Sequence, residues 1–276
     1  MKYSFLRFPE FKSKALTLSY DDASIYDKRL VQIFNKNGLK ATFNINSGLM
    51  SENDGWRMSL KEAIDLYKSG GHEIAIHGFK HLSLYDIPEH CAIDEILQDK
   101  KTLEQATNSI IRGMAYSYGT YNAKIVEVLK KLDICYARTV WQSENFDISD
   151  NFLELKPTCH HKNPKLFKLL DDFLSNEISN IFFKNGPKLF YVWGHSHEFQ
   201  NDGNWELMEQ FAQKAGNHQD VWYATNIEIL SYINAYRNLI WSTDTTRIYN
   251  PTATDVYINY YGRECRIPSA KEIHLR

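Results

Sequence analysis

Cysteine is sparse and unpaired in this 276-residue chain: Cys91, Cys135, Cys159 and Cys265 are scattered, with no CxxC pair. That excludes a cysteine zinc cluster and argues against a disulfide framework, leaving buried reduced thiols as the reading. Long apolar runs are also missing. No stretch of 18 apolar residues occurs, and the first residues show neither the apolar core of a leader nor a small-residue cleavage site. The expectation is a soluble, cytoplasmic protein with no membrane partner. Charge of one sign does not dominate either: the formal net charge is -2, so no global field favours nucleic acid. Internal repeats and low-complexity tracts are absent.

What is present is an ordinary globular composition on a chain long enough to bury a substantial core. Aromatics are abundant, Tyr above all, but such rings suit sugar-stacking surfaces and cores equally and decide nothing alone. Short apolar runs at 15–19, 40–45, 73–77, 110–116, 134–140, 188–193 and 221–224 read as strands. Amphipathic stretches at 25–37, 59–69, 89–107, 122–132, 164–178, 205–215 and 227–236 read as helices. Asn37-Gly38 and Gly70-Gly71 fit helix stops, Asn122 and Asn163 fit N-caps, and Pro164 fits a first helical position. Strand–helix alternation implies a parallel sheet with helical crossovers, and about seven units imply an α/β barrel, complete or incomplete. After residue 240 the pattern becomes alternating and rich in Tyr, Ile and Thr. The expected organisation is a barrel over residues 1–240 and a small β-rich extension over 241–276.

Chemistry-bearing residues gather at strand ends. Asp21 and Asp22 follow the run ALTLSY, and groups at such ends face the mouth of a barrel. Adjacent carboxylates repel unless a cation or proton intervenes. Asp22 alone reads equally well as a helix N-cap. His77 and His81 follow the strand EIAI, and two His four apart can share a helical face and converge on one metal. With Asp22 they make a mixed N and O donor set that leaves positions open for water. His195 and His197 follow another strand; at most one is read as facing a given site unless the chain turns there, with His195 closer to the strand end and His197 solvent-facing or in a supporting position. The turn from Ala115 to Asn122 carries Gly119, and its backbone N–H groups suit a developing oxyanion. His160 and His161 precede a helix and read first as surface residues. Arg138 lies on a strand, where an inward guanidinium requires an anionic partner.

Taken together, these segments resemble the polysaccharide deacetylase family, also called NodB-homology proteins or family 4 carbohydrate esterases. SYDD (residues 19–22) looks like the family's first motif, GHEIAIHGFKH (71–81) its second, AYSYG (115–119) its third and VWGHSHEF (192–199) its fifth; the resemblance runs over about residues 12–235. It implies a distorted (β/α)7 barrel, with the β-rich extension appended. It implies Asp21 as general base, Asp22, His77 and His81 as metal ligands, the Tyr118 backbone amide at the oxyanion and His195 as general acid. The implied cofactor is one divalent ion, zinc first, cobalt or nickel as alternatives. The implied partner is an acetylated sugar or polysaccharide, and the implied reaction is removal of an N-acetyl group. Deformylation, cyclic-amide hydrolysis and non-catalytic carbohydrate binding are the competing readings.

This sequence departs from the family pattern at several points. Gly78 stands where a Ser or Thr usually follows the first His, Ala115 where an Arg usually orients the base, and Ser117 where Pro is usual. No counterpart of the fourth motif is visible, whose Asp normally tunes the catalytic His. Arg138 is the candidate replacement for the missing Arg; His160, His161 and His197 are the other candidates for the surrounding shell.

Overall fold

The computed structural model describes residues 3–50, 55–175 and 186–275. Its centre is a parallel sheet in the order β6-β5-β4-β3-β2-β8-β7, with β9 beside β2. The strands are β2 (Lys14–Asp21), β3 (Ala41–Ile45), β4 (Glu73–Ile76), β5 (Gly113–Ala115), β6 (Tyr136–Arg138), β7 (Cys159–His160), β8 (Lys188–Gly194) and β9 (Val221–Tyr223). Every residue of β2 is buried, as a central parallel strand covered on both faces requires. One side of β2 carries β8 along its length. The other side is shared: β9 pairs with Lys14–Leu16 and β3 with Leu18–Asp21.

One segment joins the two edges of this curled sheet. Leu155 donates its N–H to Ala137 O (2.9 Å) and accepts from Thr139 N–H (2.9 Å), beside β6. Shortly afterwards Thr158 donates to Tyr191 O of β8 (2.8 Å). This eight-stranded sheet, seven strands on one path and β9 beside β2, thereby forms the distorted (β/α)7 barrel that the family resemblance implies.

Helices α1 (Asp27–Lys36), α2 (Leu60–Ser69), α3 (Glu89–Thr107), α4 (Ala123–Lys131), α5 (Leu166–Leu174), α6 (Ser196–Asn201), α7 (Trp205–Ala215) and α8 (Asn226–Arg237) complete the crossovers. Local sequence explains their ends. Ser59 with Glu62, and Thr225 with Glu228, form capping boxes, and Asn122 caps α4 by accepting from Ile125 N–H. Among the described residues no helix is long and apolar enough to cross a membrane.

Several sequence-based bounds shift, each for a physical reason. α1 starts at Asp27 rather than 25; Ile25 lies in the preceding turn, where its N–H donates to Trp56 O (2.9 Å). β5 is shorter than 110–116 because it meets β4 only at Ile76 and Met114. α5 begins after Lys165; Asn163 instead accepts from Lys165 N–H (2.8 Å) in the preceding turn, and residues 176–178 of the expected helix lie outside the described ones. α6 and β7 were not expected, being too short to show a period. The cysteines are free, but only Cys159 is buried; the other three are partly exposed.

Beyond α8 the chain is β-rich, as expected. β10 (Ile240–Trp241), β11 (Arg247–Tyr249) and β14 (Glu272–His274) form one antiparallel sheet. β12 (Val256–Tyr260) and β13 (Arg263–Ile267) form another with β1 (Leu6–Arg7) from the chain's start. Alternation buries Val256, Ile258 and Ile267 with Ile248 against Ala235 and Leu239 at the end of α8.

Candidate active site at the carboxyl ends of the strands

β2 ends on Asp21, which is 2% exposed. The two-residue period puts Ser19 and Asp21 on one face, where the Asn44 amide donates to both, at 2.8 Å each. The other Asp21 oxygen takes the Arg138 guanidinium. Arg138 is fully buried and lies over the Trp193 ring, 4.4 Å from its centroid. The anionic partner its strand position required is therefore Asp21. Burial alone would raise the Asp21 carboxyl; Arg138, then His77 and His195, outweigh that and hold it down at about 2. Ala115, where the family's Arg would stand, pairs in register with Arg138. The positive charge sits one strand over from its usual place.

Asp22 turns away from the strand with φ 77°. α1 begins only at Asp27, so Asp22 does not cap it. Its Oδ1 lies 3.8 Å from His77 Nε2 and 3.9 Å from His81 Nε2. The two imidazole nitrogens are 3.2 Å apart. Shared helical geometry is not what brings them together: residues 77–88 form no helix. Instead Gly78 (φ 86°) and His81 (φ 58°) fold the loop back. Two carboxylates of α3, one turn apart, hold it there. Asp99 accepts from His77 N–H (3.0 Å) and Ser47 N–H (2.9 Å), and Glu95 accepts from Lys80 N–H (2.6 Å) and Leu82 N–H (3.1 Å). Gly78 is dictated by this packing, since a Cβ there would meet Ser117 Oγ at 2.9 Å.

His195 follows β8 and is the N-cap of α6. Its Nε2 lies 3.8 Å from Asp21 and 3.9 Å from Asp22, and its Nδ1 lies 3.3 Å from Glu198 Oε2. Burial depresses its pKa; the Glu198 hydrogen bond and the charges of Asp21 and Asp22 outweigh that, and the net shift is upward. His197 packs its ring 5.2 Å from both Trp56 and His195, beside the cluster. His160 and His161 are not surface residues. Both lie within the fold beside Glu198, at 3.1 and 3.3 Å from its Oε2, rather than beside Asp22. Tyr118 lies in the turn after β5 with φ 57°, its exposed ring 4.4 Å from that of His81.

Sequence reading missed Glu198, Glu95, Asp99 and Asn44. Only Glu198 left a trace: it stands three residues after His195, the capping-box spacing, and accepts from His195 N–H (3.2 Å).

The donor set fits a divalent metal. His77 Nδ1 lies 2.9 Å from Ala115 O, and only a protonated nitrogen can face a carbonyl; in the neutral ring its Nε2 therefore presents a lone pair. Burial, and then His77, push His81 down to about 4, which keeps its ring neutral. Ligand atoms of Asp22, His77 and His81 all lie within 4.8 Å of one another. Nitrogens sharing a tetrahedral zinc stand roughly 3.3 Å apart, close to the spacing seen between the two rings.

A parallel barrel with carboxylates and imidazoles at the carboxyl ends of its strands defines the class: an α/β barrel whose candidate site gathers side chains that could hold a metal ion. More particularly, residues 9–137 match the family model described as polysaccharide deacetylase, and the chain resembles that family. Solved structures agree in fold. A putative polysaccharide deacetylase from Mycobacterium smegmatis is 16% identical, with a TM-score of 0.62 over 84% of this chain and 94% of its own. An allantoinase, PuuE, is 13% identical, with a TM-score of 0.62 over 81% and 91%. The chitin deacetylase of the fungal pathogen Colletotrichum lindemuthianum is 16% identical, with a TM-score of 0.54 over 81% and 89%. No curated protein matches the sequence.

Proposed function

We propose that this protein is a metal-dependent hydrolase that removes an N-acetyl group from a carbohydrate. The observation that carries the reading is the convergence of Asp22, His77 and His81 on one point, flanked by Asp21 and His195 within 4 Å. Asp22, His77 and His81 would hold one divalent ion, zinc first, with cobalt or nickel as alternatives. When bound, such an ion lowers the pKa of water and polarises the acyl carbonyl.

The chain's own groups divide the remaining work. Asp21, kept ionised and oriented by Arg138 and Asn44, accepts the proton of the attacking water. The Tyr118 backbone amide donates to the developing oxyanion. His195 delivers a proton from Nε2 to the leaving nitrogen. The exposed ring of Tyr118, beside His81, offers a flat face suited to an acetylated sugar or polysaccharide. In this reading residues 1–240 form the catalytic unit and residues 241–276 the appended β-rich unit, tied to it through β1.

Metal content of the purified protein, wild type beside the His77→Ala/His81→Ala double variant, tests the site. Near-stoichiometric zinc, cobalt or nickel that is lost in the variant supports it. No metal in wild type after incubation with those ions removes it. A panel of N-acetyl sugars, N-formyl sugars and cyclic amides then decides the acyl group, and turnover of none of them favours a carbohydrate-binding relative.

A further inference from the structure

The geometry assigns Glu198 as the positioning residue of His195, a carboxylate supplied by the helix that His195 itself caps. We infer that His160 and Lys162 serve to hold Glu198 rather than a second metal ion. The catalytic part of this inference rests on His195 being the general acid; the structural part does not.

Glu198 Oε2 lies 3.3 Å from His195 Nδ1, so that nitrogen carries a proton, and Nε2 is turned toward Asp21 and Asp22. A capping role would account only for the bond from His195 N–H. It does not account for the other groups around the same carboxylate. His160 Nε2 is 3.1 Å from Oε2, and Lys162 Nζ is 3.4 Å from Oε1. Burial would raise the Glu198 carboxyl, but the hydrogen bonds from His160 and His195 overcome this and hold it well below the usual range.

His160, His161 and Glu198 have donor atoms spaced closely enough for a metal. The tautomer of His160 argues otherwise. Its Nδ1 accepts from Lys162 N–H (3.1 Å), so in the neutral ring the proton is on Nε2, which donates to Glu198. A metal needs a lone pair at that position. Lys162 already supplies a cation, bridging Glu198 and Asp202 (2.7 Å to the latter). His161 packs as a ring: it stacks on Tyr20 and Phe199 and lies against Gly194, where any Cβ would run into it. His195 and its carboxylate thus sit on one helical turn, buttressed from the β7 side.

The test uses ¹⁵N-imidazole-labelled full-length protein loaded with zinc. Wild type is expected to show His195 protonated at Nδ1, and Glu198→Ala to lose that signature. Glu198→Gln, which keeps an acceptor oxygen, should retain it in part and guards against misfolding of the alanine variant. An unprotonated Nδ1 in wild type, or an unchanged signature in Glu198→Ala, overturns the assignment whatever the substrate is. On a turned-over substrate, Glu198→Ala should lower kcat ~10–100-fold with KM unchanged. In a His195→Ala background it should add nothing, whereas a full additional loss there means a merely structural role. Two zinc ions per wild-type chain, falling to one in His160→Ala, would replace the positioning role with a second metal site. Should His195→Ala prove fully active, the general-acid reading fails, while the imidazole spectrum still decides whether Glu198 orients the ring.

Discussion

Arg138 and Asp21 are buried together, and each is costly without the other. Removing one member of such a pair leaves an uncompensated charge, worth about 3–5 kcal/mol. Arg138→Ala should lose stability on that scale in urea unfolding and lower turnover by disorienting Asp21. Asp21→Asn combined with Arg138→Met should recover most of the stability while remaining inactive, which separates folding from catalysis. Asp21→Asn and His195→Ala alone should retain metal yet lose ~10²–10⁴-fold in rate, whereas Asp22→Ala and His81→Ala should lose the metal as well. Arg138 was legible in the sequence because an inward strand guanidinium demands an anion, and few were available. Glu198 was not: its role depends on a short helical turn and on a strand of two residues, neither of which shows a period.

At the scale of elements, the register between β5 and β6 makes the displaced charge intelligible. Ala115 and Arg138 are directly paired, so a guanidinium from either strand starts beside the same interior space. Ala115→Arg in an Arg138→Ala background is therefore expected to restore part of the lost activity, and no gain over Arg138→Ala would show that the two positions are not exchangeable. Gly78 illustrates the opposite limit. Its φ of 86° and the nearby Ser117 Oγ leave no room for the Ser or Thr usual in the family. Gly78→Ser should cost roughly 1–2 kcal/mol of stability by urea unfolding, the scale of left-handed strain. The His77–His81 spacing picked out two rings that do lie side by side, but suggested the wrong geometry. The loop is shaped by Glu95 and Asp99 of α3, whose contacts are long-range and leave no local signature. α3 itself was readable to its bounds because Pro88 precedes it and its nineteen residues contain no glycine or proline, although its apolar period is weak.

Across the whole molecule, the alternation of strands and helices was enough to reach a barrel, since parallel strands need crossovers and right-handed crossovers wrap a sheet upon itself. What alternation could not reveal was β1, whose two residues pair with β12 some 250 positions along the chain, a contact set by tertiary structure alone. The same core fixes how stability responds to pH. His72, between α2 and β4, is 6% exposed, accepts from Ala41 N–H (3.2 Å) through Nδ1, and lies edge-on to Phe43. Burial, helped by Lys40, pushes it from 6.5 down to about 4. Between those values the unfolded chain binds a proton that the folded protein refuses. The folded state therefore keeps this advantage above pH 6.5 and loses it as pH falls toward 4, by about 3 kcal/mol for the full shift. His72→Asn retains an acceptor for Ala41 N–H and has no proton to gain. Urea unfolding at intervals between pH 7 and pH 4 should show wild type losing stability relative to His72→Asn by that amount, whereas parallel curves would mean that the ring is protonated in the folded barrel as readily as in water.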